Sequence, residues 1–191
     1  MHMLYHAITK DDLKNGIGIR LVLWVSGCEH HCPECHNSFT WDESLGKPFD
    51  LWEEADILEY MKRDYVSGIT FSGGDPLHPN NRMKIGDLAR KVQSLGKNVW
   101  LYTGYKLVYK NGSFVFTDDV MHLPEFTIDW FEYIDVIVDG RYDQAVRRQD
   151  IYKGADPYWR GSSNQKLINV KESILRNTIV ELSDEKEERS V

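Results

Sequence analysis

No run of apolar residues in this chain approaches the ~20 that a membrane-spanning helix needs. The opening segment, Met1-His2-Met3-Leu4-Tyr5-His6-Ala7-Ile8, has neither the basic start nor the long apolar stretch of a secretory signal. A cytoplasmic protein with no membrane partner is therefore expected. Basic charge is also short: 23 Lys and Arg stand against 30 Asp and Glu, a net charge of −7 with neutral histidines. Nucleic-acid binders need clustered cations to neutralise phosphates, so no nucleic-acid partner is expected. Arg147-Arg148 is the one adjacent arginine pair and reads as solvated surface. Cysteine is scarce and odd in number: there are three, all between positions 28 and 35. Such a window is a poor disulfide framework and reads first as a metal site. Repeats and linkers are missing too, so residues 1–182 are expected to form one domain. Residues 183–191 are nearly all charged or polar and are expected to be a disordered tail.

What remains is ample material for a core, since 41% of the 191 residues are hydrophobic. Apolar runs at 19–25, 69–71, 99–102 and 134–138 read as buried strands. Asp50-Leu51-Trp52-Glu53 resembles a capping box, and Trp52, Ala55, Leu58, Met61 and Tyr65 follow at helical spacing. A second helix carries Ile85, Leu88, Ala89, Val92 and Leu95 on one face and stops at Gly96. A third helix is predicted over 127–133, and Asn111-Gly112 marks a short hairpin. Strand–helix alternation predicts an α/β fold with a mostly parallel sheet and right-handed crossovers. Each apolar run ends in a glycine-containing turn: Ser26-Gly27-Cys28, Ser72-Gly73-Gly74, Thr103-Gly104 and Asp139-Gly140. Ligand sites of parallel α/β folds lie at the carboxyl ends of the strands, so these turns are expected to share one rim.

The chemistry concentrates in Cys28-Glu29-His30-His31-Cys32-Pro33-Glu34-Cys35, spaced C-x3-C-x2-C. Three thiolates can hold a four-iron cubane and leave one iron open to an exogenous chelator. They can equally build a zinc site completed by His30, His31 or His36, and this segment alone does not choose. Thr70-Phe71-Ser72-Gly73-Gly74-Asp75-Pro76-Leu77 supplies the second element. Paired glycines let a backbone approach a ligand closely, although by itself the segment reads as an ordinary strand-to-helix turn.

Together, the two segments resemble the radical S-adenosylmethionine superfamily. That resemblance implies an incomplete β/α barrel, a 4Fe–4S cluster on Cys28, Cys32 and Cys35, and S-adenosylmethionine held by Gly73, Gly74 and Asp75. The reduced cluster of that superfamily passes one electron to the sulfonium, giving methionine and a 5′-deoxyadenosyl radical. Further segments narrow the match: Asn15-Gly16-Ile17-Gly18-Ile19-Arg20, Val25-Ser26-Gly27-Cys28, Cys35-His36-Asn37, Leu101-Tyr102-Thr103-Gly104-Tyr105, Val138-Asp139-Gly140-Arg141 and Trp159-Arg160-Gly161-Ser162-Ser163-Asn164-Gln165. Over roughly residues 5–170 they resemble the activating proteins of anaerobic ribonucleoside-triphosphate reductase. Ile17 departs from a proline frequent in that family. Glu34 and His36 flank Cys35 where an aromatic residue commonly meets the adenine, which leaves His36 as the candidate adenine neighbour.

The resemblance implies further roles. Thr103, Asp139 and Arg141 stand at strand ends where related activases hold the ribose and the methionine carboxylate, a group that guanidinium suits. The competing reading of Asp139 and Arg141 is a local turn ion pair. Arg20, Arg160 and Asn164 are candidate site or partner contacts, while His30 and His31 read as solvent-facing. The implied reaction removes hydrogen from a glycine Cα of the large anaerobic ribonucleotide reductase, with electrons from a flavodoxin-type donor. Two alternatives are activation of another glycyl-radical enzyme, such as pyruvate formate-lyase, and a non-enzymatic zinc-binding adaptor.

Overall fold

A computed structural model describes residues 3–147 and 159–182 of the chain. In chain order the elements are β1 (Leu4–Asp12), β2 (Ile19–Val25), β3 (Lys47–Pro48), α1 (Leu51–Met61), β4 (Val66–Gly73), α2 (Arg82–Ser94), β5 (Asn98–Tyr102), β6 (Lys106–Lys110), β7 (Ser113–Thr117), β8 (Val136–Asp139), β9 (Lys166–Asn169) and α3 (Val170–Arg176). One sheet runs in the order β3-β1-β2-β4-β5-β8-β9. Its four central strands, β2, β4, β5 and β8, are parallel, and the outer strands pair antiparallel. The fold is thus mixed α/β with a parallel centre.

Strand alternation gives this sheet two unlike faces. Leu23, Phe71, Leu101 and Ile137 stand in one register row across the four central strands, each fully buried in the main core with the helices. Burial stabilises each such side chain by about 1.5–3 kcal/mol relative to exposure. The opposite face carries Val22, Thr70, Ser72, Trp100, Tyr102 and Val138, where Trp100, Val136, Val138 and Leu167 form a separate small cluster.

Asp50 and Glu53 form the capping box expected for α1. Its buried face is rotated from the expected stripe: Glu54, Ile57, Tyr60 and Met61 are buried, Trp52 is 83% exposed, and Tyr65 lies exposed beyond the helix end. The reason is Glu54, which accepts from Lys84 at 2.7 Å and from Lys91, both on α2. A carboxylate with two cationic partners can take a helix-facing position that hydrophobic patterning reserves for apolar residues. On α2, Ile85, Leu88, Ala89 and Val92 are fully buried, Leu95 is half-exposed, and Gly96 follows with φ of +73°.

The third crossover contains no α-helix. Between β5 and β8 the chain forms the β6–β7 hairpin, whose Asn111 and Gly112 both have positive φ, as a type I′ turn requires. Residues 127–133 yield only a 3-10 turn at Phe131–Tyr133. Aromatic packing explains the difference, because Phe131 stacks on Phe114 of the hairpin at 4.8 Å and Phe126 stacks on Phe116 at 5.4 Å. Among the described residues no helix is long and apolar enough to cross a membrane. The expected tail at 183–191 lies outside the described residues.

Candidate active site at the strand carboxyl ends

The turns after the four parallel strands do meet on one rim. Gly74 N–H donates to the Val25 carbonyl (2.8 Å) and Asp75 N–H to the Gly27 carbonyl (2.7 Å), zipping the Gly-Gly-Asp segment to the start of the cysteine loop. Thr103 N–H donates to Val138, and Gly140 N–H to Tyr105, which ties in the other two strand ends. A Cβ on Gly74 would lie 2.4 Å from the Gly27 oxygen, so these backbones touch only because no side chain intervenes.

All three cysteines are free thiols in the loop after β2; Cys32 is buried, and Cys28 and Cys35 are partly exposed. Burial, with Asp75 nearby, pushes the metal-free Cys28 thiol up to about 12. Cys32 is likewise raised by burial, against the opposing pull of Arg141. A bound metal reverses that preference, since a coordinating thiol is deprotonated outright. Among the described residues no three His, Cys, Asp or Glu side chains form a ready group for a single metal ion. A groove of about 800 Å³ lies against Met3, Phe49, Leu51, Pro79 and Met83 and is lined by none of the cysteines.

His30 corrects the sequence reading. It is not solvent-facing but 1% exposed, with Nε2 2.9 Å from Asp75 Oδ2 and Nδ1 2.7 Å from Asp118 Oδ2. Its ring meets the Tyr105 ring edge-on at 4.5 Å and fills the space beside Gly104, where a Cβ would come within 2.2 Å of it. Burial alone would lower the His30 pKa, but the hydrogen bonds and charges of Asp75 and Asp118 outweigh it and raise the value. Both carboxyls are held below their ordinary value despite their own burial, Asp75 chiefly by His30 and Asp118 chiefly by the Met121 and Val120 N–H groups, with His30 adding to them. His31 is exposed, edge-on to Trp41.

Other residues fall at or away from this rim. Thr103 is buried, its hydroxyl 3.0–3.1 Å from both Asp75 carboxylate oxygens. Asp139 and Arg141 do not form the local ion pair. Asp139 accepts from Leu107 N–H and Lys166 N–H, while Arg141 donates to the His30 carbonyl and lies 3.6 Å from Asp118. One Arg141 nitrogen, Nη1, is buried without a hydrogen-bond partner. The segment 160–165, which carries the candidate contacts Arg160 and Asn164, lies on the rim because β9 runs antiparallel to β8. Asn164 donates to the Arg141 carbonyl, Gln165 to the Gly140 carbonyl, and Arg160 to the Gln165 carbonyl. His36 is exposed, with its ring 6.0 Å from that of Tyr142.

Arg20 is corrected as well. It sits at the opposite, amino-terminal end of the strands, fully buried, and donates to Thr70, Asn98 and the Ile17 and Ile69 carbonyls. No surface remains through which it could contact a partner.

Residues 14–168 match the family model described as a 4Fe-4S single cluster domain. An anaerobic ribonucleoside-triphosphate reductase-activating protein of Enterobacteria phage T4 is 35% identical, over 92% of this chain and 99% of its own. Proteins of the same name from Escherichia coli K12 (36% identical) and Salmonella typhimurium (38%) each match over 88% of this chain and their full length. The chain belongs to this family of activating proteins. For the reductase activators the choice left open by the cysteine segment falls to iron–sulfur, and three thiols are the donor type such clusters take. Besides the cysteines, the activator's rim includes Asp118, which sequence reasoning passed over because nothing local marks it, and His30, whose place between two cysteines was its only signal.

Proposed function

We propose that this chain activates the anaerobic ribonucleotide reductase by reductive cleavage of S-adenosylmethionine, leaving a glycyl radical on the reductase. When bound, the cluster and S-adenosylmethionine would supply one-electron radical chemistry, with methionine and 5′-deoxyadenosine as the products and a glycine Cα as the hydrogen donor. Cys28, Cys32 and Cys35 hold the cluster, each as a thiolate. Main-chain carbonyls at Gly73 and Gly74 receive the cofactor's amino group. Arg141 offers Nη1, which faces Asp118 at 3.6 Å but has no hydrogen-bond partner, to the carboxylate, and such charge-assisted contacts are the stronger kind. His36 neighbours the adenine. Thr103 and Asp139 shape the ribose side through the turns they hold, because both side chains already bond within the protein.

The mixed face with Thr70, Ser72, Trp100 and Tyr102 is the interior of an incomplete β/α barrel in this reading. Arg160 and Asn164, on the rim beside Arg141, face the incoming glycine loop. A flavodoxin-type protein supplies the electron, in the cytoplasm. One observation carries the proposal: the cysteine loop and the Gly-Gly-Asp turn are hydrogen-bonded to each other at the carboxyl ends of parallel strands, in a chain of the activating-protein family.

Its test is 5′-deoxyadenosine release by anaerobically reconstituted, reduced protein, with Cys32→Ala in parallel. Product from wild type alone is expected, followed by a glycyl-radical signal on the reductase and none on pyruvate formate-lyase. A fully loaded wild type that releases no product with the reductase present would overturn the reading.

A further inference from the structure

Asp75 is the acid of the Gly-Gly-Asp segment, yet its carboxylate faces inward. Leu77 N–H (2.8 Å), Gly104 N–H (2.9 Å), the Thr103 hydroxyl and His30 Nε2 (2.9 Å) all meet its two oxygens. A carboxylate has about four acceptor positions, so none is left for a ligand's ammonium group. The fourth donor is the informative one. His30 belongs to the cysteine loop, two residues after Cys28 and two before Cys32. Its other nitrogen reaches Asp118, which follows the β6–β7 hairpin and is itself held by Val120 N–H and Met121 N–H, each at 2.8 Å. Arg141 closes the group from the β8 end, donating to the His30 carbonyl and facing Asp118 at 3.6 Å.

We infer that His30 is a positioning residue: by bridging Asp75 and Asp118 it fixes the cysteine loop against the Gly73–Gly74 backbone, and so sets the cluster's place relative to the groups that receive S-adenosylmethionine. The inference rests on the proposed cofactor reading. Its physical basis is that the imidazole sits between two buried carboxylates, and buried charges without partners are strongly unfavourable. Without the ring, Asp75 and Asp118 would face one another across a cavity, and the middle of the loop would lose its side-chain hydrogen bond to Asp75, leaving Asn81 to bridge only the loop's start, at the Ser26 carbonyl, to the turn. Gly104 belongs to the same device, since any side chain there would displace the ring.

The experiment compares wild type, His30→Ala, Asp118→Ala and Asp118→Asn, each reconstituted and assayed for iron and sulfide. The main readout is the change that S-adenosylmethionine produces in the electron paramagnetic resonance spectrum of the reduced cluster, titrated to give a Kd. At matched cluster content, both alanine variants should bind at least ten-fold more weakly. Asp118→Asn should stay within about three-fold of wild type, because its amide can still donate to Nδ1 while Nε2–H serves Asp75. If His30→Ala does not fold, the Asp118 pair carries the test alone. Wild-type affinity in folded Asp118→Ala, or equal loss in Asp118→Asn and Asp118→Ala, would overturn the inference. No spectral change in loaded wild type would instead overturn the cofactor reading, and the inference with it.

Discussion

The two ends of the parallel sheet each bury a basic side chain, and they satisfy it in opposite ways. At the amino-terminal end Arg20 is enclosed by neutral acceptors: the Thr70 hydroxyl, the Asn98 amide oxygen and two main-chain carbonyls. Trp100 packs against its guanidinium at 5.3 Å. Burial lowers its pKa to about 10, which still leaves it charged at neutral pH. At the carboxyl-terminal rim His30 lies between two carboxylates, with Arg141 beside them. The first arrangement has no partner that titrates near neutrality, so it holds strand starts together at any ordinary pH. The second is built from groups that gain and lose protons, and it joins loops, not strands. Rigid framework and adjustable site are therefore separated along the strand axis, as ligand sites at strand carboxyl ends require.

The largest expected effect comes from breaking the framework end. Arg20→Met leaves several buried acceptors unpaired at about 1–3 kcal/mol each, partly offset by no longer burying a charge. A net loss of about 3 kcal/mol is expected in urea unfolding of the apoprotein. At the rim, Gly104→Ala drives a methyl group into the His30 ring and should cost about 1–3 kcal/mol. Its distinguishing sign is weaker binding of S-adenosylmethionine per folded, cluster-loaded molecule, which Arg20→Met should not show.

The pH response separates the ends further. His30 is raised above its ordinary 6.5, so its contribution is complete below that value and disappears as pH rises through the folded-state value. Asp75 and Asp118 are lowered from 3.8, so theirs is complete above that value and disappears as pH falls through the folded-state values. Apoprotein stability should therefore lose its plateau on both sides in wild type. The share of the alkaline fall that His30 contributes should be absent in His30→Gln, leaving that of the buried thiols, and an unchanged profile in that variant would contradict the assignment. The smallest effect is expected from Asn98→Asp, which gives Arg20 a carboxylate like those at the rim. At pH 7 the unfolding free energy should move by no more than about 1 kcal/mol. Stability should newly decline as pH falls through the value of the introduced carboxyl.

The central strands were legible because each carries a short apolar run, and 19–25 was read residue for residue. β1 was not, since Lys10, Asp11 and Asp12 give it the look of a surface segment. Its pairing with β2 supplies an order that hydrophobicity does not encode. The α1 stripe was misread at Glu54, whose burial depends on lysines 30 and 37 positions away. The rim was legible as a place, since each strand ended in glycine and polar residues.

By itself the sequence determined the parallel core, the cysteine loop and the glycine turns beside it, because these depend on local composition and spacing, while the family entered through the resemblance of its motifs. Only tertiary structure decided which polar residues are partners. His30 looked solvent-facing until Asp118, 88 positions away, was brought to it by the β6–β7 hairpin. Arg20 looked available until Thr70 and Asn98 closed over it. Short-range patterns select strands and turns, but the satisfaction of a buried charge depends on long-range neighbours that chain folding alone assembles.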